Sequence, residues 1–272
     1  MTKAALHEIF LPYPGKGDRK VRVYVPAHEE NETFPVIYMT DGQNLFDEES
    51  SGFGCWHTPE AVEAERAASG KAAVIVGIHN DNVWRDNELT PASIGELADK
   101  ADMYNYTASE GEIFDGFMMN VVKPYVEENF PVKKGRANTA VCGSSSGGLQ
   151  AFFTALSHPE AFCISGVFSP AFLLYSEDDM RRWILSKLTD DLPYLYIYTG
   201  AGDELETRIF NGVEWTYDIL TECYPPQLLN EIVLFENKHN EAAWAQIFPD
   251  FLHTVLYNSE FGIRNSELWS GR

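Results

Sequence analysis

Short apolar runs alternate with amphipathic stretches along almost the whole chain, and this alternation restricts the possible folds more than any other feature. Apolar runs predict strands at 21–25, 34–40, 72–78, 138–143, 162–169, 192–200 and 228–236. The stretches between them predict helices at 58–70, 111–130, 147–158, 178–188, 206–223 and 241–257. Strands that alternate with helices in this way form a mostly parallel sheet covered on both faces. We therefore expect a single α/β domain over residues 1–272.

The charge balance limits the partners that the chain can bind, and the cysteine spacing indicates the state of the thiols. The chain has 41 acidic and 20 basic residues, a formal net charge of -21, so we expect it to bind neither nucleic acid nor an anionic membrane surface. The four cysteines form no CxxC pair and are expected to be reduced thiols. No apolar stretch has the length of a signal peptide or a membrane span, which predicts a cytoplasmic location. The sequence suggests no metal cluster and no phosphate-binding loop, so we expect neither a metal nor a cofactor.

Three serines follow the strand at 138–143, and only the middle one has glycine at both positions that a sharp strand-to-helix turn requires. In the motif GSSSG at 143–147, the pattern G-x-S-x-G holds with Ser145 at its centre. Frames centred on Ser144 or Ser146 fail because cysteine or serine occupies a required glycine position. Such a turn presents a nucleophilic serine at the carboxyl edge of a parallel sheet. The structural alternative is an ordinary serine N-cap after a glycine turn.

A serine nucleophile needs a histidine base, and in this fold the base comes last in the chain order Ser, acid, His. Three histidines follow Ser145. His239 lies between the last strand and the last helix, at the edge of the sheet where the active site is expected. His158 ends the helix after Ser145, and His253 lies inside the last helix. We expect His239 to be the base and the other two to be structural.

The triad acid is expected in the loop "AGDELE" after the strand at 192–200. Asp203 is the first choice, because a carboxylate at the end of a strand can reach the imidazole. Glu204 and Glu206 remain alternatives, since the register of the loop cannot be determined from the sequence. Asp203 could instead be the N-cap of the following helix.

Two backbone N–H groups are needed to stabilise the developing oxyanion. We expect one from Ser146, the residue after the nucleophile, and the other from the loop after an early strand. In that loop Gln43 is the first choice and Gly42 the second. Asp41 and Asn44 are expected to fix the loop by hydrogen bonds.

Aromatic residues near the same edge suggest a platform for a sugar or phenolic group. They occur in "SGFGCW" at 51–56, "MYNYT" at 103–107 and "FSPAF" at 168–172, and Trp56 and Phe172 are the expected substrate contacts. The alternative is that these rings anchor the loops in the core. The connection at 86–112 is a candidate for a small cap over the pocket.

These segments together resemble the putative-esterase family of α/β-hydrolases. The resemblance rests on "VIYMTDGQNLFD", "WRDNELTP", "VVKPYVEENF", "CGSSSGGLQAFFTALSHPEAF" and "KHNEAAW", which agree in order and spacing over residues 20–258. It implies an α/β-hydrolase fold without a large lid domain, and it supports Ser145, Asp203 and His239 as the triad. Where relatives often have Met or Tyr after the nucleophile, this chain has Ser146.

The function expected from these residues is that of a serine carboxylesterase acting on a small-molecule or saccharide ester, with sugar, phenolic or siderophore esters as candidates. An acyltransferase that uses the same triad is the first alternative, because the same acyl-enzyme serves both reactions. A non-catalytic binding protein on the same fold is the second alternative. Nothing in the sequence indicates an oligomeric state.

Overall fold

The computed structural model describes residues 2–97 and 108–257. Its strands are β1 (Ala5–Tyr13), β2 (Gly17–Val25), β3 (Val36–Met39), β4 (Val74–Ile78), β5 (Thr139–Ser144), β6 (Ile164–Phe168), β7 (Tyr194–Thr199) and β8 (Leu229–Val233). Its α-helices are α1 (Thr58–Ser69), α2 (Arg85–Glu88), α3 (Gly111–Phe117), α4 (Lys123–Asn129), α5 (Ser146–Ser157), α6 (Glu177–Lys187), α7 (Glu204–Cys223) and α8 (Glu241–Tyr257).

The eight strands form one sheet in the order β1-β2-β4-β3-β5-β6-β7-β8. The pairs from β4 to β8 are parallel, and the β1–β2 hairpin adds to β4 in antiparallel orientation. Helix α1 packs against α8, and α6 packs against α7. The expectation of a mostly parallel sheet with covering helices is confirmed, and the described residues contain no large additional domain.

Each parallel strand ends at the same edge of the sheet, because right-handed crossovers return the chain in the same direction. The segment that follows β3 contains Gln43, the one after β5 contains Ser145, and the one after β8 contains His239. The fold therefore brings three distant parts of the chain to one edge, which is where sites lie in parallel sheets.

The helical segment from Gly111 to Asn129 differs in detail from the expected uniform helix. It contains a π-helical turn at Met118–Val122, directly before Pro124. Proline has no N–H to donate to the preceding turn, and a wider turn accommodates its ring. Pro124 thus changes the local helix type, and the helix continues past it.

Two clusters of buried apolar side chains stabilise the sheet. One includes Val36, Ile37 and Phe248, and the other includes Leu195, Ile197 and Val213. Within residues 2–97 and 108–257, no helix combines the length and the apolar content needed to cross a membrane.

Candidate active site

Ser145 occupies a strained turn between β5 and α5. Its backbone has φ 59° and ψ -126°, a conformation that is costly for a residue with a side chain. The surrounding backbone holds it there: the Ser145 N–H donates to the carbonyl of Phe168 at 2.9 Å, and its own carbonyl accepts from the N–H groups of Leu149 and Ala171, each at 3.1 Å. A non-glycine residue held in such a conformation is typical of a functional position.

The two glycines of the GSSSG motif are required by close contacts. A Cβ on Gly143 would lie 2.3 Å from the carbonyl oxygen of Gly147, and one on Gly147 would lie 2.2 Å from the hydroxyl of Thr40. A side chain at Gly143 would require the backbone of Gly147 to move, and one at Gly147 would require Thr40 to move. The spacing of the motif therefore has a direct steric cause.

The carboxylate that contacts the imidazole of His239 belongs to Glu206. The distance from His239 Nδ1 to Glu206 Oε2 is 2.5 Å. Both side chains are almost fully buried. Because a carboxylate can only accept, this contact places the ring proton on Nδ1 and leaves Nε2 as the basic nitrogen.

The expectation that Asp203 reaches the imidazole is corrected by this geometry. Asp203 is the N-cap of α7: its Oδ1 accepts the Glu206 N–H at 2.8 Å, and its Oδ2 accepts the backbone N–H of His239 at 3.0 Å. Both oxygens are used on backbone groups, so Asp203 positions the loops on either side of the imidazole. Glu206, one helical turn later, points toward the ring.

Glu206 is held as an ionised group. Burial opposes its ionisation, but hydrogen bonds from His239, Ser169 and the Gly200 N–H outweigh it and lower the pKa of Glu206 below its usual value. Ser169 donates to Glu206 Oε1 at 2.6 Å and itself accepts from the indole N–H of Trp244 at 2.9 Å. The Trp244 ring in turn meets the His239 ring edge-on, with centroids 5.1 Å apart. His239 and Glu206 are thus linked to each other directly and also through Ser169 and Trp244, so that four side chains form a closed circuit of contacts.

The loop after β3 is fixed by a partly buried ion pair. Asp41, in a left-handed conformation, accepts from Arg85 Nε at 2.5 Å and Nη2 at 2.8 Å. The Asn44 N–H donates to the Asp41 carbonyl at 2.8 Å, and Asn44 Nδ2 donates to Glu241 Oε1 at 3.0 Å. The structure thus places Asp41 and Asn44 as expected, as residues that shape the loop around Gln43.

Ser145, His239 and the Gln43 loop border one cavity of about 400 Å³. Its lining comprises Asp41, Gln43, Asn44, Phe53, Asn82, Arg85, Asp86, Ser144, Ser145, Leu205, His239, Glu241 and Trp244. Ser146 begins α5 beside it and donates from its hydroxyl to Asp86 Oδ1 at 3.1 Å. In the described part of the chain the Ser145 hydroxyl makes no hydrogen bond to the imidazole. Such bonds are often long before a substrate binds.

The expected substrate contacts Trp56 and Phe172 are wrong. Trp56 is 3% exposed and stacks on Phe168, while Phe172 is fully buried against Phe152. Both rings belong to the core because large apolar side chains near a sheet edge are stabilised by packing under the loops. From the same segment as Trp56, Phe53 is 83% exposed and lines the cavity. The aromatic group at 103–107 lies outside the described residues, as does part of the proposed cap at 86–112.

Arg85 and Glu241 are site residues that sequence reasoning missed. The segment "WRDNELTP" contributes to the family resemblance, but nothing in its spacing reveals that Arg85 binds a carboxylate 44 positions earlier. Glu241 stands two residues after His239, in the segment "KHNEAAW". An acidic residue next to the expected base, at the start of a helix that faces the site, was the available signal.

Comparisons with known proteins agree with this architecture. The chain is 27% identical to the uncharacterized protein YbbA of Bacillus subtilis over 152 residues, which is 54% of each chain. The chain thus spans about half the length of this relative. It superposes on the siderophore hydrolase EstB of Aspergillus nidulans with a TM-score of 0.69 at 19% identity, covering 91% of this chain and 95% of that one. It also superposes on the enterobactin esterase FES of Shigella flexneri with a TM-score of 0.69 at 18% identity, covering 93% and 60%.

These likenesses establish the α/β-hydrolase fold. The family model described as "Putative esterase" matches residues 15–251. That match includes β2 to β8, the GSSSG turn, Glu206 and His239. The chain belongs to the putative esterase family.

Proposed function

We propose that this protein is a serine carboxylesterase in which Ser145 is the nucleophile, His239 the base and Glu206 the acid. The observation that carries the proposal is the pairing of His239 Nδ1 with Glu206, which leaves Nε2 as the basic nitrogen in a cavity that Ser145 also lines. A serine hydroxyl becomes nucleophilic when such a base removes its proton. The family membership supports the same assignment.

The reaction proceeds in two halves. Ser145 Oγ attacks the ester carbonyl carbon while His239 Nε2 takes the hydroxyl proton. The tetrahedral intermediate then expels the alcohol, which leaves with that proton, and Ser145 remains acylated. Water repeats the attack with the same proton transfers, which releases the acid and restores the serine. Glu206 keeps the imidazole in the required tautomer and stabilises its positive charge.

The oxyanion is stabilised by the backbone N–H groups of Gln43 and Ser146. Ser146 is the first residue of a 12-residue helix, whose first N–H groups have no acceptor within the helix and carry its positive dipole end. The Asp41–Arg85 pair holds the Gln43 loop in place before substrate arrives, so little reorganisation accompanies the charge development.

The substrate is a small-molecule ester. A cavity of about 400 Å³ fits an ester group with a modest alcohol or acyl part. The solved structures with the same fold include proteins named for siderophore and enterobactin hydrolysis. Their names support ester hydrolysis as the reaction class.

The direct test is hydrolysis of p-nitrophenyl butyrate by the wild type and by Ser145→Ala. We expect kcat/KM to fall by about 10,000-fold or more, because the acyl-enzyme cannot form. Ser144→Ala is the matched control on the neighbouring serine and should keep at least about a tenth of the activity. If Ser145→Ala retained wild-type turnover, or Ser144→Ala alone lost it, the assignment of the nucleophile would be wrong.

A further inference from the structure

Glu241 is a buried carboxyl group on the cavity wall that the proposed hydrolysis does not use. It is the first residue of α8, only 7% exposed, and it lines the cavity together with Ser145 and His239. Its Oε1 accepts from Asn44 Nδ2 at 3.0 Å. Besides the Asn44 amide, only the backbone N–H of Glu241 itself bonds to this carboxyl group among the described residues. The carboxyl group thus has few donors of its own while it lines the cavity.

The lining of the cavity carries an excess of negative charge. It contains three carboxyl groups, from Asp41, Asp86 and Glu241, and among the described lining residues Arg85 is the only Lys or Arg. The guanidinium of Arg85 is used within the wall: it donates to both oxygens of Asp41 and, through Nη1 at 3.0 Å, to Asp86. The formal charge of -21 on the whole chain has the same sign. A ligand therefore enters a negative field, which the charge of Arg85 offsets only in part at Glu241.

The surroundings of this carboxyl group destabilise its ionised form. Burial, and next the negative charge of Asp41, raise the pKa of Glu241 to about 7. A cation that binds beside Glu241 favours its ionised form and so offsets both effects, which Arg85 compensates only in part.

Two aromatic side chains line the same cavity. Phe53 is 83% exposed at its rim, and Trp244 lies against His239. Aromatic faces attract cations, and quaternary ammonium groups are recognised in this way. Carboxylate and aromatic groups together match an organic cation better than a neutral hydroxyl group.

We propose that the cavity selects esters that carry an ammonium group, and that Glu241 is the residue that binds this group. The proposal rests on the serine carboxylesterase assignment for its reaction. It adds the substrate class: a cationic ester whose positive charge lies within contact of Glu241 while its carbonyl lies at Ser145. Neutral and anionic esters of the same shape are poorer substrates.

The test compares esters that differ only in charge. Choline butyrate is paired with 3,3-dimethylbutyl butyrate, which places the charge on the alcohol side. The p-nitrophenyl esters of 4-(trimethylammonio)butyrate and 5,5-dimethylhexanoate place it on the acyl side. The measured quantity is the cationic-to-neutral ratio of kcat/KM within each pair. Any general loss of activity cancels in this ratio, because both substrates share it.

At about pH 8.5, above the pKa of Glu241 near 7, we expect one of the two pairs to give a ratio of about 5 to 10. The ratio should fall toward one near pH 5.5, where Glu241 is protonated and neutral. Ratios of one or less in both pairs at the higher pH would overturn the proposal, as would a ratio that does not change with pH.

Glu241→Gln should bring the favoured ratio close to one and remove its pH dependence. The glutamine keeps the size of the side chain and an oxygen for Asn44, so the loop contact is retained. Glu236→Gln removes one charge from an exposed position, three residues before His239 in the sequence, and should leave the ratio unchanged. A ratio that survives in Glu241→Gln would assign the selectivity to another group and contradict the proposal.

The two proposals fail in different ways. Turnover of both esters with a ratio of one leaves the esterase assignment intact and contradicts the role of Glu241. If the wild type hydrolyses no ester of either pair, the esterase assignment fails, and calorimetric binding of choline against 3,3-dimethylbutanol decides the role of Glu241. Tighter binding of choline to the wild type than to Glu241→Gln supports it, and equal binding overturns it.

Discussion

Two histidine–carboxylate pairs lie at opposite ends of the helix that begins after Ser145. At its N-terminal end, His239 contacts Glu206 at 2.5 Å, and at its C-terminal end His158 contacts Asp115 at 2.7 Å. Judged by the contact alone, the two pairs are alike. Their surroundings make one a candidate catalytic pair and the other a structural one.

The two pairs differ in which ring nitrogen of the histidine contacts the carboxylate, and in the surroundings of the other ring nitrogen. His239 is bound through Nδ1, so Nε2 remains for the cavity that contains Ser145. His158 is bound through Nε2, and its Nδ1 lies 3.6 Å from the carboxylate of Glu160. The second oxygen of Asp115 accepts from Thr154 at 2.8 Å. His158 thus ties the end of α5 to α3, and it does not line the cavity that contains Ser145.

The largest effect is expected at the carboxylate beside His239. Glu206→Gln should lower kcat by about 1,000- to 10,000-fold, because an amide cannot stabilise the imidazolium and allows the wrong tautomer. Asp203→Asn is the matched control: asparagine keeps an oxygen for the N-cap and loses only the bond from the His239 N–H, so kcat should fall by less than about tenfold. The measurement is steady-state hydrolysis of p-nitrophenyl butyrate. A larger loss in Asp203→Asn than in Glu206→Gln would restore Asp203 as the acid.

A smaller effect, on stability, is expected at the other pair. His158→Gln should leave kcat unchanged within about threefold, since the side chain lies far from the cavity, and should lower the free energy of unfolding by about 1 kcal/mol at acidic pH. The hydrogen bond to Asp115, with its negative charge, raises the pKa of His158 above its usual value. The stabilisation is therefore complete below the unfolded pKa of about 6.5 and is lost as the pH rises through the folded value.

Urea unfolding at about pH 5.5 and about pH 8.5 measures this difference, and the cost of His158→Gln should be larger at the lower pH. His253→Gln controls for the loss of an imidazole, because His253 is half-exposed and lies 3.5 Å from Glu65. That variant should change stability by no more than about 0.5 kcal/mol at either pH. An equal cost of His158→Gln at both pH values would show that the charged pair does not stabilise the fold.

The sequence predicts the fold and the serine turn well, because both depend on local patterns. Apolar periodicity determines the strands and helices, and the glycine spacing around Ser145 has a steric cause within a few residues. His239 follows from its place between the last strand and the last helix. Each of these predictions depends on residues within a single short segment of the sequence.

The acid could not be assigned in the same way, because it depends on how the first turn of α7 is oriented. Asp203 and Glu206 are three residues apart and form the D-x-x-E pattern that often begins a helix. In that pattern the first residue caps the helix, as Asp203 does. The pattern assigns Asp203 to the cap but does not determine that Glu206 points toward the imidazole. No local pattern indicated that Trp56 and Phe172 are buried, or that Arg85 binds Asp41.

Covalent labelling with a fluorophosphonate detects the nucleophile itself, because the probe reacts with an activated serine and needs no natural substrate. We expect one adduct on the wild type, located by peptide mass spectrometry on Ser145. Labelling should be slowed strongly in Glu206→Gln and should proceed at the wild-type rate in His158→Gln. An adduct on a different serine, or equal slowing in Glu206→Gln and His158→Gln, would contradict the distinction between the two pairs.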